Sequence, residues 1–128
     1  MNKIILLTII IFCSCSKKKN PILGTWKVKS NFYKATCKIL EEDKNIKGLV
    51  LFYDDNTTVY KYSANKPKKY FFNNLKGKSN SYIDATSGAT KTRKLDTTNL
   101  TLIHKDTLEI TTYTMNKPLK EIWIRNNK

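Results

Sequence analysis

The sequence is poor in the residues that catalytic and metal sites require. It has one histidine, His104, and ten acidic residues, so histidine pairs and histidine-rich metal sites are excluded. The acidic run at residues 41–43 lacks the spaced oxygen ligands and the glycine of a calcium loop. Asp106 could pair with His104, but no candidate nucleophile stands beside them. We therefore predict no catalytic residue, no metal and no cofactor, and expect that the protein is not an enzyme.

Arginine is equally scarce, and this bears on the net charge of +14. The 24 basic residues include just two arginines, Arg93 and Arg125, and the lysines are spread along the whole chain. Nucleic-acid binders usually concentrate basic residues on one face and use arginine for bidentate contacts. We therefore expect no nucleic-acid partner. The lysines at 17–19 could still favour contact with anionic lipid.

Long apolar runs are also missing. The longest, from Ile4 to Phe12, is interrupted by Thr8 and is far shorter than the roughly 20 residues that span a bilayer as a helix. Lys3 precedes this run, and a small residue and a cysteine, Ser14 and Cys15, follow it closely. This is the layout of a secretory signal.

The N-terminal segment resembles that of a bacterial lipoprotein precursor, in which a signal peptidase cuts before a cysteine that then carries diacylglycerol and an N-acyl chain. Cys15 fits the lipidated position because the small Ser14 precedes it, whereas the bulky Phe12 precedes Cys13. The resemblance implies a signal peptide over residues 1–14, a lipidated tether over 15–21 and a domain over 22–128. Because no Asp directly follows Cys15, the resemblance to lipoproteins also implies that the protein moves on to the outer membrane and is anchored there. The lack of an acidic run after Cys15 favours the periplasmic face over the surface, and an ordinary cleaved signal is the alternative.

Cysteine number excludes a disulfide within the mature domain. Cleavage would remove Cys13 and lipidation would consume Cys15, so Cys37 is left alone. A buried apolar side chain and a reactive or intermolecular thiol are the two interpretations of Cys37.

The rest of the chain has the residue pattern of β-strands. From Ile22 to Ser30, residues of two faces alternate with a period of two. Segments rich in Thr, Tyr, Val, Ile and Phe predict further strands at 48–53, 57–62, 69–75, 80–86, 89–95, 99–104, 107–114 and 119–125. Segment 31–47 stays open between one or two helical turns and an irregular strand.

Short turns between these strands predict an antiparallel meander. Turn residues stand at 54–56, 65–67, 87–88, 105–106 and 116–118. A meander of eight or nine strands leaves edges that closure into a barrel would hide. We therefore predict an all-β, antiparallel up-and-down barrel of about eight strands.

Two short motifs resemble the lipocalin pattern. Gly24-Thr25-Trp26 opens the first strand and Trp123-Ile124-Arg125 lies in the last. In that family such a tryptophan sits at the closed end of the barrel, and an arginine of the final strand packs over its indole. The resemblance implies that Gly24, Trp26 and Arg125 are scaffold residues of a lipocalin-like domain.

A third motif resembles a hairpin of small lipocalin-like lipoproteins. Residues 51–57 are similar to its Phe-x-x-Asp-Gly-Thr pattern, with Asn56 in place of the glycine. Asn tolerates the left-handed backbone that this position requires better than most residues do. The second cysteine that some of these lipoproteins pair near Cys37 is missing here.

Aromatic residues concentrate in the middle strands, and an eight-stranded barrel can either fill its interior with them or hold one small ligand. The first hypothesis is a lipid-anchored binding protein for a small hydrophobic or amphipathic ligand. The second is an envelope interaction module with a filled barrel that meets a protein or a glycan through its surface. The candidate pocket residues are Phe52, Tyr60, Tyr62, Phe72 and Tyr82.

Overall fold

The structure is a computed structural model that describes residue 16 and residues 18–84, 98–114 and 117–128. The predicted signal peptide, Cys13, the predicted lipidation site Cys15, the predicted strand at 89–95 and the turn at 87–88 lie outside the described residues. In the described part of the chain, no helix is long and apolar enough to cross a membrane.

Nine β-strands make up the described fold, and each follows from a stretch of alternating or β-branched residues. They are β1 (Gly24–Lys29), β2 (Lys34–Glu42), β3 (Asn45–Asp54), β4 (Val59–Lys61), β5 (Tyr70–Lys78), β6 (Ser81–Asp84), β7 (Thr98–His104), β8 (Thr107–Thr114) and β9 (Lys117–Arg125).

Eight of these strands close into an antiparallel up-and-down barrel, as the sequence predicts. Going around the ring, the order is β1, β2, β3, β5, β6, β7, β8 and β9. The ring closes where β1 pairs with β9, with Trp26 directly opposite Arg125. The short β4 pairs with the end of β3, on the side where β5 pairs with its beginning.

Segment 31–47, left open by the sequence, consists mainly of strand. Residues 34–42 form β2, and β3 begins at Asn45. Asp43 and Lys44 turn the chain between them with φ angles of 53° and 64°. Ala35, Cys37 and Ile39 alternate toward the core and are buried, so the segment obeys the strand period.

We call the two ends of the barrel lower and upper. The lower end carries residues 20–23, where the chain enters, and the turns at 43–44, 79–80 and 105–106; the upper end carries loop 30–33 and the hairpin at 55–58. The core fills the lower part, where Ile22, Leu100 and Leu108 are fully buried.

Arg125 connects the entering chain and the β7–β8 turn at the lower end of the barrel. Its guanidinium lies 4.2 Å from the centroid of the Trp26 ring and donates hydrogen bonds to the carbonyls of Pro21, Leu23 and Lys105 at 2.6 to 3.1 Å. Gly24 has a φ of 132°, and a Cβ there would lie 2.9 Å from Nη1 of Arg125. The three residues that the lipocalin resemblance assigns to the scaffold are therefore in direct contact.

Candidate binding site at the upper end of the barrel

Aromatic rings divide the barrel interior into a packed lower part and a cavity. The ring of Phe72 stacks on that of Trp123 with centroids 6.3 Å apart, and Phe71 meets Trp123 edge-on at 5.3 Å. Their strands, β5 and β9, are four positions apart in either direction around the ring, so these rings meet across the barrel. Together they form a floor.

The floor depends on a glycine of the neighbouring strand. A Cβ on Gly48 would lie 2.6 Å from the Phe72 ring, which is closer than van der Waals contact allows. The missing side chain lets that ring lie flat against β3. Phe72 is consequently 1% exposed.

A cavity of about 100 Å³ lies above the floor. Ligand pockets that enclose a whole drug-sized molecule usually measure roughly 300–1,000 Å³, so this cavity has room for one small group of a ligand. Apolar and aromatic side chains form most of its wall, with a few polar groups. The lining residues are Tyr33, Phe71, Phe72, Thr98, Ile110, Thr112, Glu121 and Trp123.

Glu121 places a carboxylate in the cavity wall. Its Oε2 accepts hydrogen bonds from the hydroxyl of Tyr33 at 2.5 Å and from the indole Nε1 of Trp123 at 3.4 Å. Burial raises the pKa of Tyr33 well above its usual value, and the hydrogen bond to Glu121 raises it further. Tyr33 therefore stays a neutral donor at physiological pH.

The sequence analysis missed both Tyr33 and Glu121. The strand period could have identified Glu121, because it stands two residues before Trp123 and four before Arg125, which places all three on the inner face of β9. Tyr33 lies between Lys29 and Lys34, outside both β1 and β2. Its position depends on the loop and follows no period.

A second carboxylate, Asp84, lies next to Thr98, which lines the cavity. The two residues pair directly across β6 and β7, and Asp84 is fully buried. Its Oδ2 accepts hydrogen bonds from the backbone N–H groups of Asn73 and Asn74 at 2.9 and 3.0 Å. These bonds tie β5 to β6 where the ladder between the two strands ends.

Of the five predicted pocket residues, Phe72 lines the cavity and the other four lie elsewhere. Tyr82 is buried at the lower end, where its hydroxyl donates to Asn20 Oδ1 at 2.9 Å. Tyr60 is buried on β4. Phe52 and Tyr62 are half-buried.

A second hollow lies on the outer wall near the upper end, with a volume of about 390 Å³. We call it the outer groove. Phe32 beside it is 75% exposed, and Leu119 and Ile124 are 43% and 40% exposed. Its lining residues are Lys29, Ser30, Asn31, Phe32, Leu119, Lys120, Glu121, Ile122 and Ile124.

The remaining candidates for chemistry are far from reactive geometry. Within the described ranges, no three His, Cys, Asp or Glu side chains are grouped to hold a metal ion. His104 accepts a weak hydrogen bond from the backbone N–H of Asp106 at 3.5 Å in the β7–β8 hairpin. Cys37 is a free, fully buried thiol whose pKa is raised by burial, so its thiolate is scarce.

No protein-family model, no curated protein and no solved structure matches the chain. The resemblance to lipocalins therefore depends on residues of the chain itself, above all Gly24, Trp26 and Arg125.

Proposed function

We propose that this protein is a lipid-anchored, lipocalin-like lipoprotein that binds a small amphipathic ligand at the upper end of its barrel, without catalysis. Cys15 would carry the lipid and hold the domain at the periplasmic face of the outer membrane. The cavity above the Phe72–Trp123 floor is the observation that carries the proposal, because among the described residues the lower interior is a core of buried side chains.

The composition of the cavity wall supports a binding role. Binding sites for small molecules are mostly apolar and aromatic, with a few polar groups that fix the orientation of the ligand. Phe71, Phe72 and Ile110 supply the apolar wall, and Glu121 and Tyr33 supply the polar groups. With about 100 Å³ of volume, the cavity would take the head of the ligand, and the tail would extend toward the upper end.

The position of the tether supports an upper end that faces away from the membrane. The chain enters the barrel at the lower end, where Asn20 is fixed by its hydrogen bond to Tyr82. A lipid on Cys15 would therefore attach the lower end to the membrane. The cavity would then exchange its ligand with the aqueous compartment.

Filling the cavity tests this proposal. Thr112→Phe would place a ring in the cavity, whereas Thr111→Phe places the same ring on the opposite face of β8. We expect native mass spectrometry of the full chain, released gently from its own membrane, to show a bound small molecule for wild type and Thr111→Phe and none for Thr112→Phe. The same bound mass in all three proteins would contradict the proposal.

The outer groove favours a second candidate, an interaction module of the envelope. Phe32 exposes three quarters of its surface, and Lys29 and Lys120 lie beside it. An exposed apolar patch of this kind often marks a site of protein contact. A photo-crosslinking residue at position 32, but not at the exposed Lys38 of β2, would then capture one protein or glycan in cells.

A further inference from the structure

We infer that the cavity recognises an organic cation, a ligand with an alkylammonium head and an apolar tail. This inference rests on the proposed function, because it names the class of ligand for the same cavity. It is carried by the carboxylate of Glu121, by the neutral character of its hydrogen-bond partners and by the aromatic rings around it.

Among the described residues, Glu121 has no cationic partner within ion-pair distance, unlike Glu42, Glu109 and Asp106. Glu42 pairs with Lys68 at 3.0 Å, Glu109 with Lys120 at 3.4 Å and Asp106 with Arg125 at 3.3 Å. Among the described residues, no lysine or arginine nitrogen lies within 4.0 Å of the Glu121 carboxylate. The described lysines and arginines thus leave the carboxylate in the cavity wall without an ion pair.

The hydrogen bonds of Glu121 leave one of its oxygens available. Tyr33 and Trp123 both donate to Oε2, and no described side chain or backbone group donates to Oε1. These two bonds hold the carboxylate in place without cancelling its charge. An ammonium group that enters the cavity could therefore donate to Oε1 and form a charge-assisted hydrogen bond.

The aromatic residues of the wall also favour a positively charged head group. Tyr33, Phe71, Phe72 and Trp123 line the cavity together with Glu121. Ring faces carry a negative potential and attract organic cations, with tryptophan the strongest. An anionic head would meet the Glu121 carboxylate, so a fatty acid or a phosphate ester is the less favourable occupant.

The two tryptophans of this chain allow a direct test. The indole N–H of Trp123 donates to Glu121 in the cavity wall, and that of Trp26 donates to the carbonyl of Ile22 at 2.9 Å at the lower end. In ¹⁵N-labelled full chain, the Trp123 signal reports on the site and the Trp26 signal is an internal control. The probes are butylammonium, 1-butanol and butyrate, which share one tail and differ in the head.

We expect butylammonium to shift the Trp123 signal and to bind about tenfold or more tightly than 1-butanol or butyrate, with Trp26 unmoved. Glu121→Gln keeps an oxygen that accepts from Tyr33 but loses the charge, so it should lower the affinity for butylammonium about tenfold and leave that for 1-butanol unchanged. Glu109→Gln, which removes an acid from the adjacent strand β8, should behave as wild type.

Several outcomes would overturn the inference. They are equal affinity of wild type for butylammonium and 1-butanol, tighter binding of butyrate, and unchanged butylammonium affinity in a folded Glu121→Gln protein. The comparison of probes on wild type decides the question even if Glu121→Gln does not fold. Binding of 1-butanol without any preference for butylammonium would refute the cationic head and leave the proposed function standing, whereas no shift of Trp123 with any probe would refute both.

Discussion

At the scale of single residues, Trp26 and Arg125 illustrate how one pair of side chains can serve several needs of the barrel. Trp26 is fully buried, and the indole N–H is satisfied by the carbonyl of Ile22. Arg125 covers the ring and also satisfies the carbonyls of Pro21 and Leu23. The contact thus joins apolar burial, a cation–π interaction and the hydrogen bonds of the entering chain.

Removal of Trp26 should therefore be costly. We expect Trp26→Ala to lower the free energy of unfolding by about 3–5 kcal/mol, the range for truncation of a large buried aromatic side chain. Denaturant titration followed by circular dichroism measures this loss, and Trp26→Phe should lose less because it keeps a ring under Arg125. A loss of less than about 1 kcal/mol for the alanine variant would contradict this account of the lower end.

Asp55 controls the hairpin between β3 and β4. Its Oδ1 accepts hydrogen bonds from the backbone N–H groups of Thr57 and Thr58 at 3.0 and 2.6 Å and from the hydroxyl of Thr57 at 2.8 Å. These hydrogen bonds lower the pKa of Asp55 below its ordinary value of 3.8, and the bond from the backbone N–H of Thr58 has the largest effect. Asn56 follows with a φ of 70°, the left-handed backbone expected where the resembling hairpin has glycine.

The stability that Asp55 contributes should depend on pH in one direction. A carboxyl whose pKa is lower in the folded state contributes fully above its unfolded pKa and loses that contribution as the pH falls through the folded pKa. We expect Asp55→Asn to be less stable than wild type at neutral pH, and the difference to shrink below about pH 4. A difference that grows on acidification, measured by urea unfolding across this range, would contradict the assignment.

At the scale of elements, the sequence predicts most strands because their residues alternate or are rich in β-branched and aromatic types. It left the conformation of β2 undecided because the acidic run at residues 41–43 also suits a helix. The apolar residues Ala35, Cys37 and Ile39 nevertheless alternate with polar ones, as in a strand. The alternation was compatible with a strand there. The choice between strand and helix required the pairing of β2 with β1 and β3.

The phase of the middle strands could not be predicted, and this is why the candidate site was incomplete. Residues 48–53 of β3 have no alternation, and a bulge leaves Leu51 without a partner on β2. A bulge exchanges the faces of all residues beyond it, so the side on which Phe52 lies was undetermined. Glu121, on the regular strand β9, could have been found.

Gly48 tests the packing of β3 against β5. Gly48→Ala would place a Cβ 2.6 Å from the ring of Phe72, and the ring would have to move from Trp123. We expect the free energy of unfolding to fall by about 1–3 kcal/mol, as for other overpacked cores. Combining the change with Phe72→Leu should recover part of the loss, and full additivity of the two changes would argue against the contact.

At the scale of the whole molecule, the two ends of the barrel differ in structure. The lower end holds the entering chain through Arg125, Trp26 and Tyr82, and the upper end has the cavity and the outer groove. The proposed lipid anchor at the lower end would leave the upper end accessible. The two ends differ because residues 20–23 lie across the lower end, whereas the upper end carries loop 30–33 and the hairpin at 55–58.

The proposed lipid anchor can be tested in the intact protein in cells. Cys15→Ala removes the thiol that would carry the lipid, so we expect unprocessed or soluble precursor in place of a membrane-bound mature form. Fractionation and mass determination of the N-terminal peptide measure the outcome, with Cys13→Ala as the matched control. Normal processing and membrane fractionation of the Cys15→Ala protein would contradict the anchor.

The proposed function requires that a ligand binds in the cavity at the upper end. A direct measurement compares the indole and backbone N–H signals of the full chain as isolated with those after extraction of bound small molecules and refolding. The account predicts that the Trp123 signal moves, because its N–H donates to Glu121 in the cavity wall, while Trp26 stays in place. Loss of a bound molecule with Trp123 unmoved, and with shifts confined to Phe32 and Leu119 in the outer groove, would contradict it.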